Sequence, residues 1–200
     1  MNILFSTQGA GLDIYMNVLR KMRKIEDIDK AGFYVTNSHI YKDLCKSDPE
    51  IKKQSVLKEW EILKKSSKIQ PNIDLLKRYE EKIGQPFLWD LIVGDRRIYL
   101  GKNYAFSQDY HSHFSHERML AIIQVGIEAM EKMFDDLRPD LVVSFQCVTL
   151  GDHLTLEKGI IVDDDNGLIR IAAASLSNNV FNNGDSIDSE AIFASINVDF

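Results

Sequence analysis

Two passages of the same form constrain this 200-residue chain more than any other feature. Each is a short apolar run that stops abruptly in small and polar residues; one lies between Asn2 and Gly11 and the other between Arg138 and Gln146. Short continuous apolar runs are typical of buried parallel strands. Open α/β sheets bind ligands just beyond the carboxyl ends of such strands. The two passages therefore predict an α/β fold with a ligand site at the carboxyl edge of a parallel sheet.

Helical periodicity follows the predicted strands of the first part of the chain. A strand from Ile3 to Thr7 is followed by a glycine loop and by an apolar helical stripe from Leu12 to Met22. A second strand is predicted from Ala31 to Thr36, and Ser38 can cap the helix after it. Strand, loop and helix in this order form half of a βαβ unit. The pattern predicts a Rossmann-like open parallel sheet flanked by helices.

The same order returns later in the chain. The clearest helix runs from His116 to Leu137, with Ser115 as its N-cap, and a strand from Leu141 to Phe145 follows it. A helix that leads into a buried strand is the second half of a crossover. Short apolar runs at 160–162 and 168–171, separated by Asn-Gly, predict a hairpin.

Positive and negative charges are unevenly distributed along the chain. The net charge is −6, but residues 42–82 carry +3 and the remainder carries −9. The acidic majority argues against nucleic acid as a partner. The basic stretch is either a solvated helical face or a surface for phosphates or an anionic membrane. We interpret residues 49–84 as a charged helical insertion within a 1–175 domain, and 176–200 as a polar tail or the start of an interdomain linker.

Composition indicates a soluble protein of reducing surroundings. No apolar run approaches the roughly 20 residues that span a bilayer, and the first residues lack the pattern of a signal peptide. The two cysteines, Cys45 and Cys147, form neither a disulfide framework nor a zinc pattern. We expect a cytoplasmic protein, or one at the inner face of the membrane.

Two loops at the predicted sheet edge hold the first candidate residues. Gly9 and Gly11 let backbone N–H groups approach a phosphate or hydroxyl group, although a tight structural turn explains them equally well. Asp152 and His153 follow the later strand, where a histidine oriented by a carboxylate can serve as a general base. The alternative is a helix-start aspartate beside a packed histidine.

Other clusters have a functional and a structural interpretation. Arg96 and Arg97 offer two guanidinium groups to phosphate or carboxylate, or form ordinary ion pairs. The histidines at 111, 113 and 116 suggest a metal site, or a polar loop that lines a cleft. Asp163 and Asp165 fit the D-x-D pattern of metal-dependent sugar-nucleotide enzymes, or an acidic hairpin turn before Asn-Gly.

Six short segments form a further pattern that is best between residues 87 and 154. The segments are Phe87-Leu88-Trp89, Asp95-Arg96-Arg97-Ile98-Tyr99, Gln108-Asp109-Tyr110, Phe114-Ser115-His116-Glu117, Arg138-Pro139-Asp140 and Gly151-Asp152-His153. Together they resemble the N-terminal half of bacterial capsular or surface polysaccharide biosynthesis proteins. Those proteins are similar to GT-B glycosyltransferases, which use two Rossmann-like domains.

The resemblance implies the acceptor-side domain of a glycosyltransferase. It implies a glycan or sugar acceptor as the partner, and a nucleotide-sugar donor as co-substrate only together with a C-terminal domain; no other cofactor is expected. We expect His153 and Asp152 to be catalytic. The residues expected to bind substrate are Ser6, Gln8, Gly9, Gly11, Arg96, Arg97, Gln146 and His116.

Two alternatives stay open. One is a truncated, non-catalytic relative that binds a glycan or a partner protein, in which a homodimer would replace the missing domain. The other is a single-domain, metal-dependent glycosyltransferase that uses Asp163 and Asp165. The sequence does not identify the sugar, the nucleotide or the acceptor.

Overall fold

A five-stranded, all-parallel sheet forms the centre of the fold. The computed structural model describes residues 1–7, 11–83, 88–101, 112–144, 149–155 and 170–173. The strand order is β3-β2-β1-β4-β5. The strands are β1 (Asn2–Thr7), β2 (Lys30–Val35), β3 (Ser55–Lys58), β4 (Leu141–Ser144) and β5 (Arg170–Ala173). This architecture confirms the predicted Rossmann-like α/β fold.

Helices connect the strands. They are α1 (Leu12–Met22), α2 (Ser38–Ser47), a 3-10 helix (Pro49–Lys53), α3 (Glu59–Ser66), α4 (Ile73–Ile83), α5 (Asp90–Val93), α6 (Arg96–Tyr99), α7 (His116–Leu137) and a helical segment at 150–155, here α8. Among the described residues, no helix is both long enough and apolar enough to cross a bilayer.

The two faces of the sheet belong to two apolar clusters. Successive side chains of a strand point to opposite faces. In β1, Ile3 and Phe5 join the cluster that contains the buried face of α1, and Leu4 joins the cluster that contains α7. Phe5 also stacks on Phe33 of β2, its register partner, with ring centroids 5.1 Å apart. Burial on both faces explains why these strands read as continuous apolar runs.

Helix α7 has the bounds that its apolar stripe predicts. The Ser115 hydroxyl oxygen accepts a hydrogen bond from the Arg118 N–H at 3.3 Å, as an N-cap does. At the other end the helix stops at Leu137, and Arg138 adopts a left-handed conformation with φ 47°. The chain then enters β4, which lies beside β1.

Three local features differ from the sequence interpretation or extend it. The cap of α2 is Asn37, whose side chain accepts hydrogen bonds from the His39 and Ile40 N–H groups, so Ser38 is the first residue of the helix. The stretch interpreted as a helical insertion does contain α3 and α4, but it also contributes edge strand β3. Residues 170 and 171, the end of the second predicted hairpin run, belong to β5, which pairs in parallel with β4, and residues 160–169 of the predicted hairpin lie outside the described residues.

Strand order locates the place where the connections reverse. From β1 the chain proceeds to β2 and β3 on one side, whereas β4 and β5 lie on the other side of β1. In open α/β sheets a ligand crevice forms at this switch point, outside the carboxyl ends of the two central strands. In this protein those strands are β1 and β4.

Candidate functional site

The carboxyl ends of β1 and β4 lie side by side and carry matching hydroxyl groups. Ser6 of β1 is the register partner of Ser144 of β4. Gly11 immediately precedes α1, and Thr149 immediately precedes α8. We call Ser6, Ser144, Thr149 and Asp152 the switch-point cluster.

Asp152 connects the members of this cluster. Its Oδ1 accepts hydrogen bonds from the hydroxyl groups of Ser6 at 2.5 Å and Ser144 at 3.3 Å. Its Oδ2 accepts from the backbone N–H and the hydroxyl group of Thr149, at 2.9 and 2.7 Å. The Asp152 N–H donates in return to the Thr149 hydroxyl oxygen at 3.2 Å. Residues 149 and 152 thus form a capping box at the start of α8.

This geometry gives Asp152 a supporting function. The side chain is fully buried, and a buried carboxylate is tolerated only where donors satisfy it. Hydrogen bonds to a charged group are stronger than those between neutral groups. One carboxylate therefore fastens the end of β1, the end of β4 and the first turn of α8 to one another.

His153 follows in the same turn of α8. Its backbone N–H donates to the Thr149 carbonyl at 3.1 Å, and its side chain is half-buried. Successive residues of a helix point in directions about 100° apart. The described hydrogen bonds of the Asp152 carboxylate connect it to Ser6, Ser144 and Thr149.

Tyr15 of α1 is close enough to the cluster to respond to its charge. Burial and, to a smaller extent, the negative charge of Asp152 raise the pKa of the Tyr15 hydroxyl to about 12. Its position in the apolar stripe of α1 identifies Tyr15 only as a core residue, so the sequence offered no signal of this proximity.

A second polar cluster lies at the start of α3. The Oε2 atom of Glu59 accepts hydrogen bonds from the Tyr34 hydroxyl group and from Nη2 of Arg97, both at 3.0 Å. The same Nη2 donates to Oδ2 of Asp95 at 2.6 Å. We call Tyr34, Glu59, Asp95 and Arg97 the Glu59–Arg97 cluster.

The second cluster contacts α8 directly. The Leu150 N–H donates to Oδ2 of Asp95 at 3.0 Å. The ring of Tyr34 lies against the backbone at Gly151, where an added Cβ would be 1.9 Å from Cε1 of the ring. Asp152 and Asp95 thus hold successive N–H groups at the start of α8.

The structure brings together some of the predicted site residues. Ser6 and Asp152 are in direct contact, and Arg97 is connected to α8 through Asp95. Arg96 is exposed on α6. His116, also exposed, stacks against Trp89 with ring centroids 4.5 Å apart. The remaining predicted residues, Gln8, Gly9 and Gln146, lie outside the described residues.

The structure tests the metal hypotheses only in part. Within the described ranges, no group of three or more His, Cys, Asp or Glu side chains could hold a metal ion. His111, Asp163 and Asp165 are not among the described residues, so the hypotheses that use them stay predictions. Cys45 packs in the core beside α1 and β2.

Of the Glu59–Arg97 cluster, the sequence identified Arg97 as a candidate residue but not its partners Tyr34 and Glu59. The sequence signal for Asp95 is its position before a helix, because aspartate is a common N-cap. In the structure its side chain caps α6 by accepting from the N–H groups of Arg97 and Ile98. Glu59 lies within a run of mixed charges, so the sequence carries no signal of its function.

Comparison of the chain with protein-family models, curated proteins and solved structures finds no match.

Proposed function

We propose that this chain is the acceptor-side domain of a glycosyltransferase-like protein of capsular or surface polysaccharide synthesis. The observation that carries the proposal is the strand order, which puts the switch point between β1 and β4. The two loops expected to bind substrate begin there, after Ser6 and after Ser144. A sugar acceptor would bind in the crevice outside these strand ends.

His153 is the proposed base of the transfer. Its imidazole would remove the proton of an acceptor hydroxyl group as the oxygen attacks the anomeric carbon of a nucleotide sugar, whose diphosphate leaves. The half-buried position of His153 on α8 supports this assignment. Asp152 would contribute by holding α8 against the two strand ends. Cytoplasmic location and contact with the membrane surface are parts of the same proposal.

A second candidate function is glycan binding without catalysis. The observation that favours it is the engagement of the Asp152 carboxylate by Ser6, Ser144 and Thr149, which gives that carboxylate a supporting function at the strand ends. In this alternative the crevice binds a sugar, and a homodimer would complete the binding surface.

Binding and transfer measured together separate the two candidates. The chain is titrated calorimetrically with hexoses, N-acetylhexosamines, hexuronic acids and UDP-, GDP- and CMP-sugars, and transfer from each radiolabelled donor is followed. If the first candidate is correct, transfer is detected in the full-length protein, and His153→Ala lowers its rate roughly 100-fold while acceptor binding persists. His39→Ala, at an exposed histidine of α2, is the matched control and should change neither.

Each of the other outcomes has a definite meaning. Sugar binding with no transfer in the full-length protein supports the second candidate. Transfer that His153→Ala leaves unchanged removes His153 from the mechanism. The absence of binding to every sugar contradicts both candidates. Dependence of nucleotide-sugar binding on Mn²⁺, lost in Asp165→Asn, would instead support the metal-dependent alternative.

A further inference from the structure

The Glu59–Arg97 cluster contains two carboxylates but one guanidinium group. The side chains of Glu59 and Asp95 are 6% and 1% exposed, and that of Arg97 is 31% exposed. Both carboxylates pair with Nη2 of Arg97, at 3.0 and 2.6 Å. Arg97 is the one cation that pairs with them among the described residues, so with both carboxylates ionised the described part of this buried cluster would carry an excess negative charge, which is costly.

The two carboxylates differ in the hydrogen bonds that stabilise their charge. Asp95 accepts five described hydrogen bonds, three from Arg97 and one each from the N–H groups of Ile98 and Leu150. Glu59 accepts two. Hydrogen bonds to a carboxylate favour its charged form, so Glu59 is the group that takes up a proton. In agreement, the pKa of Glu59 is raised to about 7, chiefly by burial, although Arg97 opposes the shift.

The surroundings of Glu59 can be named element by element. Strand β2 contributes Tyr34, and the segment that opens α6 contributes Arg97 and Asp95, whose negative charge adds to the upward shift of the Glu59 pKa. Helix α7 also packs on α3, but the described polar contacts between the two helices involve α3 residues beyond Glu59. The side chain of Arg118 donates to the Leu63 carbonyl, and Glu128 pairs with Lys65.

Protonation of Glu59 would change the contacts that hold the start of α8 in two ways. Neutral Glu59 no longer attracts the guanidinium of Arg97, which then pairs more fully with Asp95, the acceptor of the Leu150 N–H. The hydrogen bond from Tyr34 to Glu59 also weakens, and the ring of Tyr34 lies against Gly151. We propose that the Glu59–Arg97 cluster is a proton-responsive support of α8, in which the charge of Glu59 changes how the first turn of that helix is held.

This inference does not depend on the ligand proposed above, and it is tested without one. The protein is labelled with ¹³C at the glutamate carboxyl carbons and with ¹⁵N at the backbone, and NMR spectra are recorded from pH 4 to pH 9. One glutamate carboxyl resonance should titrate with a midpoint near pH 7 and should be missing in Glu59→Gln. The N–H resonances of Leu150 and Gly151 should shift with the same midpoint.

The control is Glu61→Gln, at a glutamate of the same helix that is 63% exposed; it should leave the midpoint and the Leu150 shift unchanged. Helix α8 also carries His153, three residues from Leu150, and imidazole groups in general change charge near neutral pH, so the diagnostic quantity is the part of the Leu150 shift that Glu59→Gln abolishes. A Glu59 carboxyl group that titrates with the exposed glutamates overturns the proposal. So does a Leu150 shift that is the same with Gln at position 59.

A second variant keeps the test valid if Glu59→Gln does not fold. Tyr34→Phe removes a donor that stabilises the ionised form of Glu59, because the hydrogen bond from Tyr34 lowers the Glu59 pKa. The midpoint of the Glu59 resonance should therefore move to higher pH, and the midpoint of the Leu150 shift should move with it. If the Glu59 midpoint does not rise, or if the two midpoints separate, the proposal is contradicted.

Discussion

Replacement of Asp152 by Ala should destabilise the fold far more than replacement by Asn. The alanine variant removes the acceptor of the Ser6 hydroxyl, the Ser144 hydroxyl and the Thr149 N–H at a position with no exposure to solvent. The Thr149 hydroxyl loses its acceptor as well. These buried donors cannot form replacement hydrogen bonds with solvent. The end of β1, the end of β4 and the start of α8 also lose the carboxylate that connects them.

The structure sets the size of the difference. A buried donor left without an acceptor costs about 1–3 kcal/mol, so the four donors at about 1 kcal/mol each give about 4 kcal/mol for Asp152→Ala. Asparagine keeps one oxygen for the Thr149 N–H. Its amide group can donate to the Ser6 and Ser144 hydroxyls, because a hydroxyl group both donates and accepts. We therefore expect a loss of about 1–2 kcal/mol for Asp152→Asn.

Urea denaturation at pH 7, followed by circular dichroism, measures both values. Asp29→Ala is the control, because that side chain is 71% exposed, and we expect a change within about 0.5 kcal/mol. The reasoning is refuted if Asp152→Ala loses less than about 1 kcal/mol. It is also refuted if the Asn and Ala variants are equally destabilised, because the hydroxyl groups would then not adapt to an amide.

Three further predictions concern stability and are checked by the same unfolding experiment. Gly151→Ala should cost about 3 kcal/mol or more, because its Cβ would overlap the buried ring of Tyr34; a near-neutral effect would contradict that packing. Glu59 has a folded-state pKa of about 7 against its ordinary 4.5, so its stabilising contribution is complete below about pH 4.5 and falls as the pH rises through 7. The wild type should lose about 2.5 kcal/mol between pH 5 and pH 8 by this route, and Glu59→Gln should not. Asn37→Ala should cost about 1 kcal/mol by removing the cap of α2, whereas Ser38→Ala should cost less.

The parts of the fold that the sequence predicts correctly are those in which local signals agree. Helix α7 has a cap at Ser115, an apolar stripe and a proline beyond its end, and the structure has the same bounds. Strands β1 and β2 are buried on both faces, so their apolar runs are continuous. Strand β3 was missed because it is a four-residue edge strand, Ser55–Lys58, that lacks a fully buried position.

The candidate site, like the fold, could be predicted from the sequence only in part. Its location follows from the apolar runs, which end where the sheet ends, and Asp152 belongs to one of the two loops identified there. Glu59 and Arg97 could not be paired from sequence, because 38 positions separate them and only the tertiary fold brings Tyr34 and Asp95 to the same place. Burial, which sets the pKa of Glu59, is likewise a property of the assembled fold.

The proposed function requires a sugar to bind at the crevice between β1 and β4, and backbone NMR shift mapping detects such binding residue by residue. The ¹⁵N-labelled protein is titrated with the panel of sugars and nucleotide sugars. We expect the largest saturable shifts on Gly11, Ser144, Thr149 and His153, at the carboxyl edge of the sheet. Shifts confined to another surface, such as the charged cleft lined by Arg23, Glu50 and Gln54, or no saturable shift with any sugar, would contradict it.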